Sequence, residues 1–88
     1  MIVNYTARFK KDYKAMKKRG SDMEKINEVI RRLAIPERLE PRYRNHVLIG
    51  EYKGHSECHI EPDWLLIYYY TNTHIICVAT GSHSDLFE

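Results

Sequence analysis

Apolar and polar positions follow two rhythms along the chain, and the change of rhythm divides it. The apolar run Ile2 to Tyr5 reads as a short first strand. Ala7, Phe9, Tyr13 and Met16 follow at roughly helical spacing, with lysines filling much of the rest. Thr6 stands where an N-cap belongs, and Gly20 ends this helix because it tolerates the left-handed conformation after a last turn. Ser21-Asp22-Met23-Glu24 has capping-box spacing, with Glu24 three residues after Ser21. Met23, Ile26, Val29, Ile30 and Leu33 give a second helix one apolar stripe, which Pro36 stops. The connection at Gly20 is short enough to predict an antiparallel helix hairpin.

Residues 36–43, with two prolines, read as a loop. The period then becomes two. His46 to Ile49 reads as a strand ended by Gly50. From Glu57 to Glu61, Cys58 and Ile60 fall on one face and Glu57, His59 and Glu61 on the other. Leu65 to Tyr70 and Ile75 to Ala79 flank the polar turn Thr71-Asn72-Thr73, a hairpin pattern. A strand, a helix hairpin and then consecutive antiparallel strands predict an α+β sandwich of two layers. At 88 residues the chain reads as one domain, 1–88, with one modest core.

Charge changes this picture by separating the halves. The net charge is +2, but residues 1–44 carry 13 Lys and Arg against 6 acids, and residues 45–88 carry one lysine, Lys53, against 6 acids. All five histidines lie in the second half. Seven basic residues fall between Arg8 and Arg19, which suits a polyanionic partner, a solvated helix face being the plainer alternative. Two cysteines, Cys58 and Cys77, make no disulfide framework and read as buried thiols. No run reaches membrane-spanning length and the N-terminus shows no cleavage signal, so a reduced, cytoplasmic setting and no membrane partner are expected.

The chemistry concentrates in Cys58-His59-Ile60-Glu61-Pro62-Asp63-Trp64. An imidazole and a carboxylate stand there at the mouth of an apolar strand. Histidine exchanges protons near neutral pH, with a free pKa of about 6.5. RNA supplies its own nucleophile, the 2′-hydroxyl, so one base and one acid suffice to cleave it, each contributing about 10²–10⁴-fold. His46, His59 and His83 with Asp63 supply such groups if folding gathers them, and Trp64, Tyr52 and Phe87 offer faces for a base to stack on. A metal is not required. The spacing of His55, His59 and Asp63 suits a helix, which Gly54 and Pro62 oppose. In a strand His55 and His59 would lie roughly 13 Å apart, too far for one ion. A Cys58–His59 nucleophile pair is opposed by strand alternation.

These motifs carry a resemblance. His46-x-Leu48-x-Gly50, Tyr52-Lys53-Gly54, Cys58-His59-Ile60-x-Pro62-Asp63-Trp64-Leu65-Leu66-Ile67-Tyr68 and Thr80-Gly81-Ser82-His83-Ser84-Asp85-Leu86-Phe87 resemble the YafQ branch of the RelE/ParE toxin superfamily. The resemblance implies an N-terminal strand and α-helical hairpin packed on a curved antiparallel β-sheet. It implies a bacterial type II toxin, a ribosome-dependent endoribonuclease that cuts mRNA in the ribosomal A site without a cofactor. A DinJ-like antitoxin is implied as partner, with operator DNA met only through the antitoxin complex.

Catalytic positions carried over are His46, His59, Asp63 and His83. The favoured roles are His83 as acid, Asp63 or His46 as base, and His59 on the phosphate. Trp64 and Phe87 are carried over as mRNA contacts. Lys53 and Arg44 are expected at the substrate phosphate, and Lys10, Lys14 and Lys17 on ribosomal RNA. Ala79 and Ser56 stand where members often carry arginine. Each change removes a positive charge expected to stabilise the transition state. A non-enzymatic ParE-like binder and a co-repressor acting with its antitoxin are the alternatives; the histidine set favours the nuclease.

Overall fold

The computed structural model describes residues 1–35, 46–47 and 54–87. The predicted loop 36–43, the continuation of the His46 strand to Gly50, and Arg44, Tyr52 and Lys53 lie outside the described residues. The elements are β1 (Ile2–Tyr5), α1 (Ala7–Lys18), α2 (Met23–Ala34), β2 (His46–Val47), β3 (Ser56–Glu61), β4 (Trp64–Tyr70), β5 (His74–Gly81) and α3 (His83–Phe87).

Local chemistry sets the helix ends. Thr6 accepts from the Phe9 amide at 3.0 Å, capping α1. At the other end, the Ser21 amide bonds Met16 O and the Gly20 amide bonds Lys17 O, with Gly20 at φ +86°. That pairing is a Schellman turn, and it needs the left-handed residue that glycine supplies without cost. Asp22, rather than Ser21, caps α2: its carboxylate accepts from the Glu24 amide at 3.2 Å. Ile35 ends α2 in an extended conformation, as a residue before proline prefers.

The five described strands form one sheet in the order β1-β5-β4-β3-β2. From β2 to β5 the pairing is antiparallel, as expected, but β1 lies parallel beside β5. The sheet is therefore mixed. Hydrophobic period shows that Ile2–Tyr5 is a strand but carries no information about which neighbour it takes.

One face of the sheet buries the helix layer. Phe9 and Met16 of α1 and Ile26, Val29, Ile30 and Leu33 of α2 pack on Cys58, Leu66, Tyr68, Ile75 and Cys77. Burying a side chain such as Ile26 completely contributes roughly 1.5–3 kcal/mol. The other face carries a smaller apolar cluster, Leu65, Ile67, Ala79 and Leu86. A bulge makes this second cluster possible. Tyr68 pairs with Cys77 and Ile67 with Ala79, so Val78 is extra, and the strand changes face between Cys77 and Ala79. Thr6 holds the bulge: its hydroxyl donates to Val78 O at 2.7 Å and its amide to Cys77 O at 3.0 Å.

Candidate active site

The site lies on the sheet face turned away from α1 and α2. In β3, Cys58 and Ile60 enter the helix-side core, which turns Glu57 and His59 to the opposite face, as the alternation predicts. Glu61 departs from it, because a bulge between His59 and Glu61 breaks the alternation and Glu61 accepts from Lys25 of α2 at 2.7 Å. Pro62 and Asp63 form the tight turn between β3 and β4, so Asp63 stands at the rim of the same face. After β5, Gly81 and Ser82 reverse the chain into α3, which brings His83 back over the rim.

His83 and Asp63 are joined twice. Asp63 Oδ1 accepts from the His83 amide at 2.9 Å and lies 2.7 Å from His83 Nδ1. These two bonds hold the Asp63 carboxyl below the usual carboxylate range, the backbone bond contributing most. An ionised Asp63 only accepts, so Nδ1 carries the hydrogen and Nε2 is the nitrogen left to exchange a proton with substrate. The His59 ring lies edge-on to His83, centroids 5.7 Å apart. Its Nε2 is 3.0 Å from Oε1 of Glu57, a carboxylate only 5% exposed. Among the described residues the site thus holds two imidazoles, each with its own carboxylate.

Folding gathers His59, Asp63 and His83 of the expected set. Of His46 the backbone is described: it lies opposite Glu57 in the β2–β3 ladder. Phe87 follows His83 by one helical turn, with its ring 6.3 Å from the imidazole and 46% of the residue exposed. That position suits stacking. Trp64 is a correction: it is 2% exposed within the helix-side core, and its Nε1 donates to Thr80 Oγ1 at 2.9 Å. No indole face is left for a base. Strand alternation carried the signal, because Trp64 shares its parity with the core residues Leu66 and Tyr68. Lys10, Lys14 and Lys17 are exposed on α1, across the sheet from His59.

Ser56 shares the helix-facing side of β3 with Cys58. An arginine there would not face His59, so that departure removes no charge from the site. Ala79 does lie on the site side, fully buried beside Leu65, Ile67 and Leu86.

Two features went unread in the sequence. One is α3, signalled by Ser82-x-x-Asp85: the Asp85 amide bonds Ser82 Oγ at 3.1 Å and the Ser82 amide bonds Asp85 Oδ2 at 2.9 Å, a reciprocal cap. The other is Glu57, visible only as an acid sharing the face of His59. It completes a set that spacing alone had not shown: Glu57, His59 and His83 place one possible ligand atom each within 4.8 Å of the others. A carboxylate with two imidazoles suits zinc or copper.

A helix hairpin on one face of a small mixed sheet, with paired imidazoles and carboxylates on the other, defines a small α+β protein with a histidine–carboxylate centre. Over residues 1–88 the chain matches the family described as "Bacterial toxin of type II toxin-antitoxin system, YafQ", and it belongs to that family. It is 36% identical over 88 residues to the mRNA interferase toxin YafQ of Escherichia coli strain K12, covering 97% of this chain and 94% of the relative. It is similar to a metal-bound toxin from Helicobacter pylori, with a TM-score of 0.92 at 36% identity and 99% of both chains covered. A chain of the E. coli DinJ-YafQ complex superposes with a TM-score of 0.87 at 36% identity, over 98% of this chain and 97% of that one.

Proposed function

We propose that this chain is an mRNA interferase, an endoribonuclease that cuts mRNA in the ribosomal A site and is held in check by a DinJ-like antitoxin. The observation that carries the reading is the doubly bonded Asp63–His83 pair beside the His59 ring. Family membership and the E. coli relative named as an mRNA interferase support it. So does the complex of a similar toxin with DinJ.

In this mechanism the 2′-hydroxyl attacks the adjacent phosphorus and the bond to the 5′-oxygen breaks. The products are a 2′,3′-cyclic phosphate and a 5′-hydroxyl. His83, protonated on both nitrogens, gives the Nε2 proton to the leaving 5′-oxygen. Asp63 is too weak a base for the attacking hydroxyl, because the two bonds from His83 hold its carboxyl below the usual range; its role is to orient His83. The base is then an imidazole, His59 or His46, with Glu57 orienting His59. Phe87 stacks on a base of the message. Lys10, Lys14 and Lys17 hold ribosomal RNA from the far side of the domain, and operator DNA is met through the antitoxin.

The Glu57–His59–His83 cluster favours a second reading of the same site, in which a transition metal binds as an inhibitor. Such an ion takes the lone pairs that proton transfer needs, and the similar H. pylori toxin is a metal-bound one. The test is to add the protein to translating ribosomes and map new 3′ ends. Cutting within A-site codons that persists in chelator and falls when zinc is added agrees with both readings. Cutting lost in chelator and restored by one divalent ion, with ribosomes intact, overturns the metal-independent mechanism.

A further inference from the structure

Arg19 closes the basic run of α1, yet its guanidinium is turned to the far end of the chain. It grips Asp85 with two hydrogen bonds, Nη1 to Oδ2 at 2.6 Å and Nη2 to Oδ1 at 3.1 Å. Asp85 Oδ2 also accepts from the Ser82 amide at 2.9 Å, capping the helix that carries His83. A second tie from α1 lies nearby: Asp12 Oδ2 accepts from the Thr80 amide at 3.2 Å. Between the two ties Gly81 lets the chains close, since a Cβ there would fall 2.9 Å from Asp85 Cβ. The five residues of α3 make little more than one turn, too few to hold a helix by backbone bonds alone. Its direction depends on Leu86 in the small apolar cluster, on Asp63, and on this grip.

We propose that Arg19 and Asp85 are a positioning pair for His83, fixing α3 so that the imidazole meets Asp63. A two-pronged guanidinium–carboxylate contact fixes direction as well as distance, which a single ammonium does not. The proposal gives Arg19 work distinct from that of Lys10, Lys14 and Lys17, and it rests on the reading of His83 as the acid.

The test combines Arg19→Gln, Asp85→Asn, the double variant and Arg19→Lys in single-turnover cleavage with ribosome and toxin in saturating complex. Asp85→Asn keeps an acceptor for the Ser82 amide and removes the charge. Each single variant is expected to slow cleavage about threefold to tenfold, the scale of a partly exposed but two-pronged pair. The double variant should be no slower than the worse single one, and Arg19→Lys should fall between Arg19→Gln and wild type. The Asp63 carboxyl, followed by carbon NMR on the free toxin, should titrate closer to an ordinary carboxylate in Asp85→Asn, opposite to the direction in which loss of the Asp85 charge alone moves it. Multiplicative effects of the single variants, or an unmoved Asp63 titration, overturn the proposal. A wild-type rate for His83→Gln in the same assay overturns the acid reading instead, while the Asp63 titration still decides whether Arg19 and Asp85 place His83.

Discussion

One oxygen of Asp63 takes both the backbone amide of His83, at 2.9 Å, and its ring Nδ1, at 2.7 Å. The first bond fixes where α3 begins and the second fixes the tautomer. Asn at position 63 keeps an acceptor for the amide but loses the carboxylate that fixes the ring's orientation and tautomer. Asp63→Asn is therefore expected to slow single-turnover cleavage by about tenfold, less than the ~10⁴-fold lost in a buried triad because this carboxylate is exposed. An unchanged rate would remove Asp63 from the mechanism.

Acid should weaken the fold through the same region. Asp85 and Asp63 have carboxyls depressed below the ordinary value of about 4, by Arg19 and by His83 respectively. On acidification the unfolded chain takes up these protons first, so the stability they give is full above about pH 4 and is lost as pH falls through their folded values. Thermal melts between pH 2 and 7 should show a fall below pH 4 that is shallower in Asp85→Asn. Equal slopes would mean that Asp85 is not linked to folding.

Trp64 and Phe87 should separate folding from substrate contact. Trp64→Ala opens a cavity in the helix-side core and is expected to cost about 3–5 kcal/mol of stability. Phe87→Ala should leave the melt nearly unchanged and weaken message binding by about 1–3 kcal/mol, the usual worth of one stacked base. Denaturant unfolding and ribosome-bound cleavage assays read the two effects. A stable Trp64→Ala protein that fails only in cleavage would restore Trp64 to the substrate side.

Much of the fold was legible in the residues. Thr6 and Gly20 bracket the first helix, the Met23–Leu33 stripe the second, and alternation at Cys58-His59-Ile60 assigned His59 to the open face. Local signals ran out where distant residues set the outcome. The parallel pairing of β1 with β5 joins Ile2 to His74 across most of the chain. The Val78 bulge moves Ala79 to the site face with no mark in the sequence period. Glu57 gains meaning only when His83 returns over it, and spacing within one segment does not show that. Trp64 follows the strand parity of Leu66 and Tyr68 into the core, and its motif context carries no weight against that parity.

The exposed lysines of α1 carry a separate expectation. Replacing Lys10, Lys14 and Lys17 by Glu should weaken ribosome binding, and added salt should weaken wild-type binding in turn. Sedimentation with ribosomes at graded salt measures both. Affinity unchanged in both arms would make these lysines a solvated helix face and no more.

The central claim is that His83 delivers the proton to the leaving oxygen, and His83→Gln tests it most directly. Glutamine keeps much of the size and hydrogen bonding of the imidazole without its titrating proton. Melting temperature and antitoxin binding should stay near wild type. With ribosomes and toxin in saturating complex, so that binding does not mask chemistry, single-turnover cleavage should fall by at least about tenfold. A near wild-type rate would contradict the account and pass the acid role to His46 or His59.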